Sequence, residues 1–178
     1  MKRLIYTLLT VMFLLSVSSG SLYAVTLTFS EPDFEWYHQS VGASPYHIWV
    51  TNDYWVQTFS DTGLASATNM SLLLYIDDNV LSSGNTQKLD VVLNSVVVGS
   101  IGIASGVSGS RDYNFAFSSV PGDDYEVKLL AKNTIPPGDG SISMAADGRS
   151  YVTLTPEPST IFLLGLGGLA LLRKSRRT

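Results

Sequence analysis

Cysteine is absent from all 178 residues. The chain therefore has no disulfide staple, no thiol nucleophile and no cysteine-based zinc site, and its folded part must rely on core burial. Histidine is nearly absent: His38 and His47 are the only two, at a spacing that fits no standard zinc motif. Basic side chains are scarce between Val25 and Leu154. Five of them (Lys88, Arg111, Lys128, Lys132, Arg149) face fourteen carboxylates there, a net of −9 against −4 for the whole chain. Phosphate contacts need Lys and Arg, so nucleic acid is not an expected partner. Solubility, divalent cations and neutral sugars suit such a domain better. No phosphate-binding loop or dinucleotide fingerprint occurs, and no Gly-x-Ser-x-Gly elbow accompanies either histidine. Carboxylate pairs for glycoside hydrolysis can be nominated among fourteen acids, but none has a telling context. The expectation is a protein without catalytic activity, a small hydrolase being the least favoured alternative.

Both ends of the chain differ from its middle. Lys2 and Arg3 precede a mostly apolar stretch from Ile5 to Val17, then Ser18-Ser19-Gly20-Ser21 and Leu22-Tyr23-Ala24. This order of basic, apolar and small-residue regions predicts a secretory leader over residues 1–24, cut between Ala24 and Val25. The secretion translocon and signal peptidase are then partners.

The remaining 25–154 reads as strands. Val25, Leu27 and Phe29 alternate with threonines; Tyr113, Phe115 and Phe117, and then Tyr125, Val127 and Leu129, repeat the period of two. Short β-branched and aromatic runs at His47–Val50, Tyr54–Phe59, Ser71–Ile76, Leu89–Leu93, Val96–Ile103, Ile142–Ala145 and Arg149–Leu154 complete the set. Asn94-Ser95 is a candidate two-residue hairpin. Asp77-Asp78-Asn79, Pro121-Gly122-Asp123-Asp124, Pro136–Gly140 and Asp147-Gly148 read as turns, and Ser60–Asn69 and Ala104–Ser110 as the longest loops. Nine or ten short strands with frequent turns predict an all-β, antiparallel sandwich, jelly-roll-like, with an immunoglobulin-like arrangement as the alternative.

The last residues, 155–178, have a different logic. Pro156-Glu157-Pro158-Ser159-Thr160 precedes twelve uncharged residues, Ile161 to Leu172, and then Arg173-Lys174-Ser175-Arg176-Arg177-Thr178. The prolines cannot continue a helix and hold their neighbours extended. A helix over 159–172 would be apolar on every side, as a membrane helix is. At 1.5 Å per residue its twelve apolar residues reach roughly 18 Å, short of a hydrocarbon core of about 30 Å. The basic tail 173–178, with Arg173, Lys174, Arg176 and Arg177, would stay cytoplasmic.

This tail closely resembles the PEP-CTERM sorting signal of exported proteins of Gram-negative bacteria. The resemblance covers residues 156–178 and implies recognition by an exosortase, a membrane-embedded, cysteine transpeptidase-like enzyme, with cleavage near Pro156-Glu157-Pro158. It also implies transient residence in the inner membrane, then delivery to the cell surface or an exopolysaccharide matrix. The resulting expectation is an exported surface or matrix protein with a structural or adhesive role, or alternatively a carbohydrate-binding module.

Candidate sites for such binding are few. Glu31-Pro32-Asp33-Phe34-Glu35-Trp36-Tyr37-His38 places Asp33 and Glu35 beside Trp36 and Tyr37. Aromatic faces stack on sugars and carboxylates accept their hydroxyl hydrogens. The first expectation for these residues is a loop whose aromatics fold onto the sandwich edge, with sugar stacking as the alternative. Tyr46, Trp49, Tyr54 and Trp55 form a second aromatic cluster, expected first as core packing. Calcium takes six to eight oxygens; Asp77, Asp78, Asp123 and Asp124 are its candidate ligands, although Asp and Asn are also ordinary turn residues.

Overall fold

The computed structural model describes residues 24–38, 47–48 and 50–156. The expected leader before Ala24, the aromatics Tyr46 and Trp49, and the segment 157–178 lie outside them. Among the described residues no helix is long and apolar enough to cross a membrane.

Among the described residues eleven strands, rather than the nine or ten expected, form two antiparallel sheets: β1 (Val25–Ser30), β2 (Phe34–Tyr37), β3 (His47–Ile48), β4 (Tyr54–Phe59), β5 (Ser66–Asn79), β6 (Thr86–Leu93), β7 (Val96–Ala104), β8 (Gly109–Pro121), β9 (Tyr125–Ala131), β10 (Ile142–Met144) and β11 (Asp147–Thr155). The six-stranded sheet runs β1-β11-β5-β10-β3, with β8 paired along β5; the five-stranded sheet runs β2-β4-β9-β6-β7. Only β6–β7 and β10–β11 connect within one sheet; every other connection crosses to the other sheet.

The period of two explains the core. In β9, Tyr125, Val127, Leu129 and Ala131 are buried, while Glu126, Lys128 and Leu130 are partly exposed. In β5, Met70, Leu72, Leu74 and Ile76 are buried and alternate with Ser71, Leu73 and Tyr75. These faces meet in one cluster that also takes Phe29, Phe34, Ile48, Trp55 and Phe59. The rings of Phe29 and Phe59 meet edge to face at 5.6 Å, joining the two sheets. Where β7 passes into β8 the sheets approach closely, and the Phe115 ring occupies the space a Cβ on Gly99 would need.

The hairpin at Asn94-Ser95 forms as the sequence predicts. Leu93 pairs with Val96, and both loop residues have positive φ, 47° and 66°. That is a type I′ turn, whose twist matches the flanking strands. The Asn94 amide donates to the Pro121 and Asp124 carbonyls, and its oxygen accepts the Glu126 N–H at 2.7 Å.

Four expectations need correction. Asp77-Asp78-Asn79 is not a turn: it continues β5, because β10 supplies a ladder partner, Asn79 opposite Ile142 and Asp78 opposite Ser143. Ser66–Asn69 is strand rather than loop, its small polar residues facing outward while Ala67 is buried. Asp147-Gly148 lies inside β11, where a register shift against β1 leaves Gly148 at φ 88°. Phe34–Tyr37 is an edge strand rather than a loop, paired with Tyr54–Gln57.

A serine at φ 66° is strained where glycine is not. Ser95→Gly should therefore stabilise the domain by about 1 kcal/mol, read as a higher midpoint in thermal unfolding. Gln57→Leu should act in the opposite direction. The buried Gln57 side chain accepts the Ser30 N–H at 2.9 Å and reaches the Thr28 carbonyl at 3.4 Å across the sheets. Its loss leaves a backbone N–H unpaired and should destabilise by roughly 1–3 kcal/mol in the same assay.

Candidate functional site

The Glu31–His38 stretch forms an edge of the five-stranded sheet, and strand alternation splits its residues between two faces. Phe34 is buried and Trp36 packs partly buried against the core, whereas Glu35 is exposed and Tyr37 keeps 46% of its surface exposed. Trp36 and Tyr37, adjacent in sequence, therefore do not form one stacking platform. Tyr37 finds its partner across the ladder instead: it stands opposite Tyr54, the rings stacked at 5.3 Å and 18°. The Lys128 ammonium sits 5.0 Å from the Tyr54 ring centre and 3.3 Å from the Glu126 carboxylate.

The register extends this face across all five strands. Glu35, Val56, Lys128, Val92 and Val97 lie in one row, and Tyr37, Tyr54, Leu130, Asp90 and Ser100 in the next. At the β2 side an open cleft of about 470 Å³ is lined by Asp33, Glu35, Gln57, Thr58, Ser60 and Glu126, together with Pro32 and Val56. It joins two of the sequence-predicted acids, Asp33 and Glu35, to Glu126, which the sequence did not single out. Chemically it offers carboxylate, amide and hydroxyl groups.

The candidate calcium ligands are dispersed, and the carboxylates of Asp77, Asp123 and Asp124 are engaged. The Asp77 carboxylate accepts from Arg149 at 3.0 Å, and Arg149 also grips Asp147 at 2.8 Å while lying 4.0 Å over the Tyr75 ring. The Arg149 hydrogen bond holds the Asp147 carboxyl below the ordinary carboxylate range, and the same bond, reinforced by Asp77, raises the guanidinium. Asp78 is exposed and lies beside Asp77 on β5. Asp123 and Asp124 sit in the β8–β9 turn and accept the backbone N–H groups of Gly63 and Asp61, each at 2.9 Å. Among the described residues no group of three or more His, Asp or Glu converges as a metal site.

The histidines have separate partners. His38 Nε2 lies 3.2 Å from the Asp53 carboxylate, both side chains buried, and the same oxygen accepts the Val50 N–H at 2.8 Å. His47 Nδ1 lies 2.7 Å from Ser141 Oγ. The acid partner and the serine partner thus fall on different histidines. Sequence spacing carried no sign of either pairing, since 15 residues separate His38 from Asp53 and 94 separate His47 from Ser141.

Tyr125 anchors the turn that holds Asp123 and Asp124. Its buried hydroxyl lies 3.1 Å from the Leu64 carbonyl and 3.3 Å from that of Val120. Burial, aided by the Asp123 charge, pushes the phenol from 10.0 up to about 12. The folded state therefore keeps a proton that the unfolded chain loses. The contribution to stability is whole below pH 10 and is lost as pH rises through about 12. Tyr125→Phe should unfold more readily than the parent near neutral pH, by about 1 kcal/mol for the lost hydrogen bonding. Its thermal midpoint should fall less steeply than the parent's in the pH range above 10.

Residues 154–177 match the family model of the PEP-CTERM protein-sorting motif. The search of curated proteins gave no match. Among solved structures, the chain is similar to the CBM36-1 domain of a multidomain xylanase from the hindgut metagenome of Trinervitermes trinervoides, at 11% identity over 74% of this chain and 96% of that one, with a TM-score of 0.47. It is similar to a carbohydrate-binding module CBM36 in complex with calcium and xylotriose, at 17% identity, 73% and 98% coverage and a TM-score of 0.41. It is also similar to the CBM35 from Cellvibrio japonicus Abf62, at 12% identity, 75% and 94% coverage and a TM-score of 0.42. At the end of its last strand this chain carries a PEP-CTERM protein-sorting motif.

Proposed function

We propose that this chain is the precursor of an exported, non-catalytic β-sandwich protein that an exosortase sorts to the cell surface or its exopolysaccharide matrix. There it serves as a structural or adhesive component. The observation that carries the reading is the sorting motif at residues 154–177, which begins within β11. The leader over 1–24 and the short membrane helix over 159–172 complete the export route: translocon and signal peptidase first, transient anchorage in the inner membrane, then exosortase. The acidic, cysteine-free domain suits an extracellular setting, needing neither an oxidant nor a partner chain to close its core. Replacing Pro156, Glu157 and Pro158 together by alanine should leave an unprocessed, membrane-retained form, detected by cell fractionation and intact mass. Unchanged release of the mature domain would refute the sorting role.

A second reading, carbohydrate binding, draws support from the outer face of the five-stranded sheet. There the Tyr37–Tyr54 stack stands on the strands that line the cleft with Asp33, Glu35 and Glu126. A sugar would lay its apolar face on the exposed Tyr37 ring and give its hydroxyl hydrogens to the carboxylates, with or without calcium. A glycan array with and without calcium tests this. The parent should bind, and Tyr37→Ala should weaken binding roughly 5- to 100-fold, the equivalent of the ~1–3 kcal/mol that losing an aromatic anchor costs. Equal binding by both proteins would move the site elsewhere, and no binding would leave the structural role alone.

A further inference from the structure

We propose that β7 is a docking edge for a second copy of this chain, the two β7 strands pairing antiparallel about a twofold axis at Ile101. Strand β7 ends the five-stranded sheet and pairs only with β6 among the described residues. Proteins commonly protect such an edge with a charge, a proline or short length. Val96–Ala104 has nine residues, none charged and none proline. Its irregularity at Val98 leaves the register from Gly99 onward continuous. Val96 and Val97 are exposed, and Phe115 of β8, which fills the space beside Gly99, is only half-buried. The other edges differ: β8 carries Arg111 and Asp112, β2 carries Glu35, and β1 turns threonines outward.

The backbone of β7 complements its own copy. The Lys88 N–H donates to Asn133 Oδ1 at 2.6 Å and the Lys88 carbonyl accepts the Lys132 N–H at 2.9 Å, so both groups face β9. In an antiparallel ladder a residue turns its N–H and C=O to one side and the next residue turns them to the other. Leu89 therefore bonds to Ile101 opposite it, and the N–H and C=O of Ser100 and of Gly102 point away from β6. With the twofold at Ile101, Gly102 of one copy stands opposite Ser100 of the other. Each such pair exchanges N–H···O=C bonds in both directions, and the axis forms the pair twice. Beyond it, Asn79 Nδ2 already occupies the Ala104 carbonyl at 2.8 Å, which ends the free segment.

Charge selects both the occupant and the register. The domain's net charge of −9 makes two copies repel wherever their carboxylates meet, and β7 itself has none. On the outward face Lys88 stands beside Gly102, and Asp90 beside Ser100, whose hydroxyl it accepts. The axis at Ile101 sets Lys88 of one copy in line with Asp90 of the other, on both sides of the axis. An axis at Ser100 would align Asp90 with Asp90, and one at Gly102 would align Lys88 with Lys88. Asp90 is already held by Lys132 at 3.0 Å, and Lys88 reaches its open side across Gly102, which has no side chain in the way. The two copies then share one continuous sheet, with β2 and the Tyr37–Tyr54 stacks at its far ends. This pairing uses only the folded sandwich and stands apart from the sorting and sugar-binding readings.

The absence of native cysteine makes engineered ones unambiguous probes. Ser100→Cys and Gly102→Cys, made as full-length chains with different tags in one Gram-negative host, should cross-link to each other when intact cells are oxidised. Directly opposed residues lie within disulfide reach at about 5.5 Å between Cα atoms, whereas diagonal ones lie at or beyond its limit of about 7 Å. The mixed dimer should therefore dominate a non-reducing gel, with little dimer from either variant alone. No mixed dimer, or an equal yield from Ser100→Cys alone, overturns the proposal. In analytical ultracentrifugation of the protein recovered from the same cells, the parent should show a monomer–dimer equilibrium. Lys88→Glu changes an exposed residue, should keep the parent's thermal midpoint, and should weaken the dimer at least about threefold. A parent that stays monomeric, or a dissociation constant unchanged by Lys88→Glu, also overturns it.

Discussion

Strand β5 holds the six-stranded sheet together through fourteen residues of continuous backbone. On one edge it pairs with β8 along most of its length; on the other it pairs first with β11 and then with β10. Its buried residues form the floor of the core, so a slip of one residue would turn Met70, Leu72, Leu74 and Ile76 outward. That cost pins the register, and the register in turn decides the rest. It sets β1 beside β11, brings the domain's two ends together as Val25 and Leu154, and fixes where the tail leaves the sheet.

Apolar burial supplies the attraction between the sheets but no direction. With no disulfide available, their alignment is set by polar groups with definite partners, Gln57 and Tyr125 buried and Asn94 half-buried. Gln57 reaches from β4 to the backbone of β1, Tyr125 from β9 to carbonyls at Leu64 and Val120, and Asn94 from the hairpin to the β8–β9 turn. Gln57 and Tyr125 would each leave an unpaired polar atom if the sheets shifted, which is costly in a low-dielectric interior. The carboxylates of Asp123 and Asp124 extend the same scheme to the surface, tying the β4–β5 loop to the turn.

The division between address and domain follows from this arrangement. The strand that completes the six-stranded sheet is also where the sorting motif begins, so the chain passes from folded domain to sorting motif within a few residues. On the other sheet, the outward residues of β2, β4 and β9 collect the stacked Tyr37–Tyr54 pair and two cleft-lining acids, Glu35 and Glu126, with Asp33 in the turn before β2.

The period-two runs made the sandwich legible, because alternation of apolar and polar side chains is itself the physical requirement for a half-buried strand. The hairpin at Asn94-Ser95 was legible because two polar residues separate two β-branched apolar runs. The tail was legible because its signal is linear. Sequence could not show that Asp77–Asn79 continues a strand, since the partner that overrides their turn preference, β10, lies more than sixty residues away. Nor could it show that Trp36 faces the core while Tyr37 faces out. That depends on β2 pairing with β4, which also brings Tyr54 under Tyr37. By itself the sequence determined the fold class and the sorting motif, which are written in local order. Only the tertiary structure decided which acids and rings share a face and which acids are already spoken for by Arg149 or by backbone N–H groups. Those facts depend on long-range register, which no local window of residues encodes.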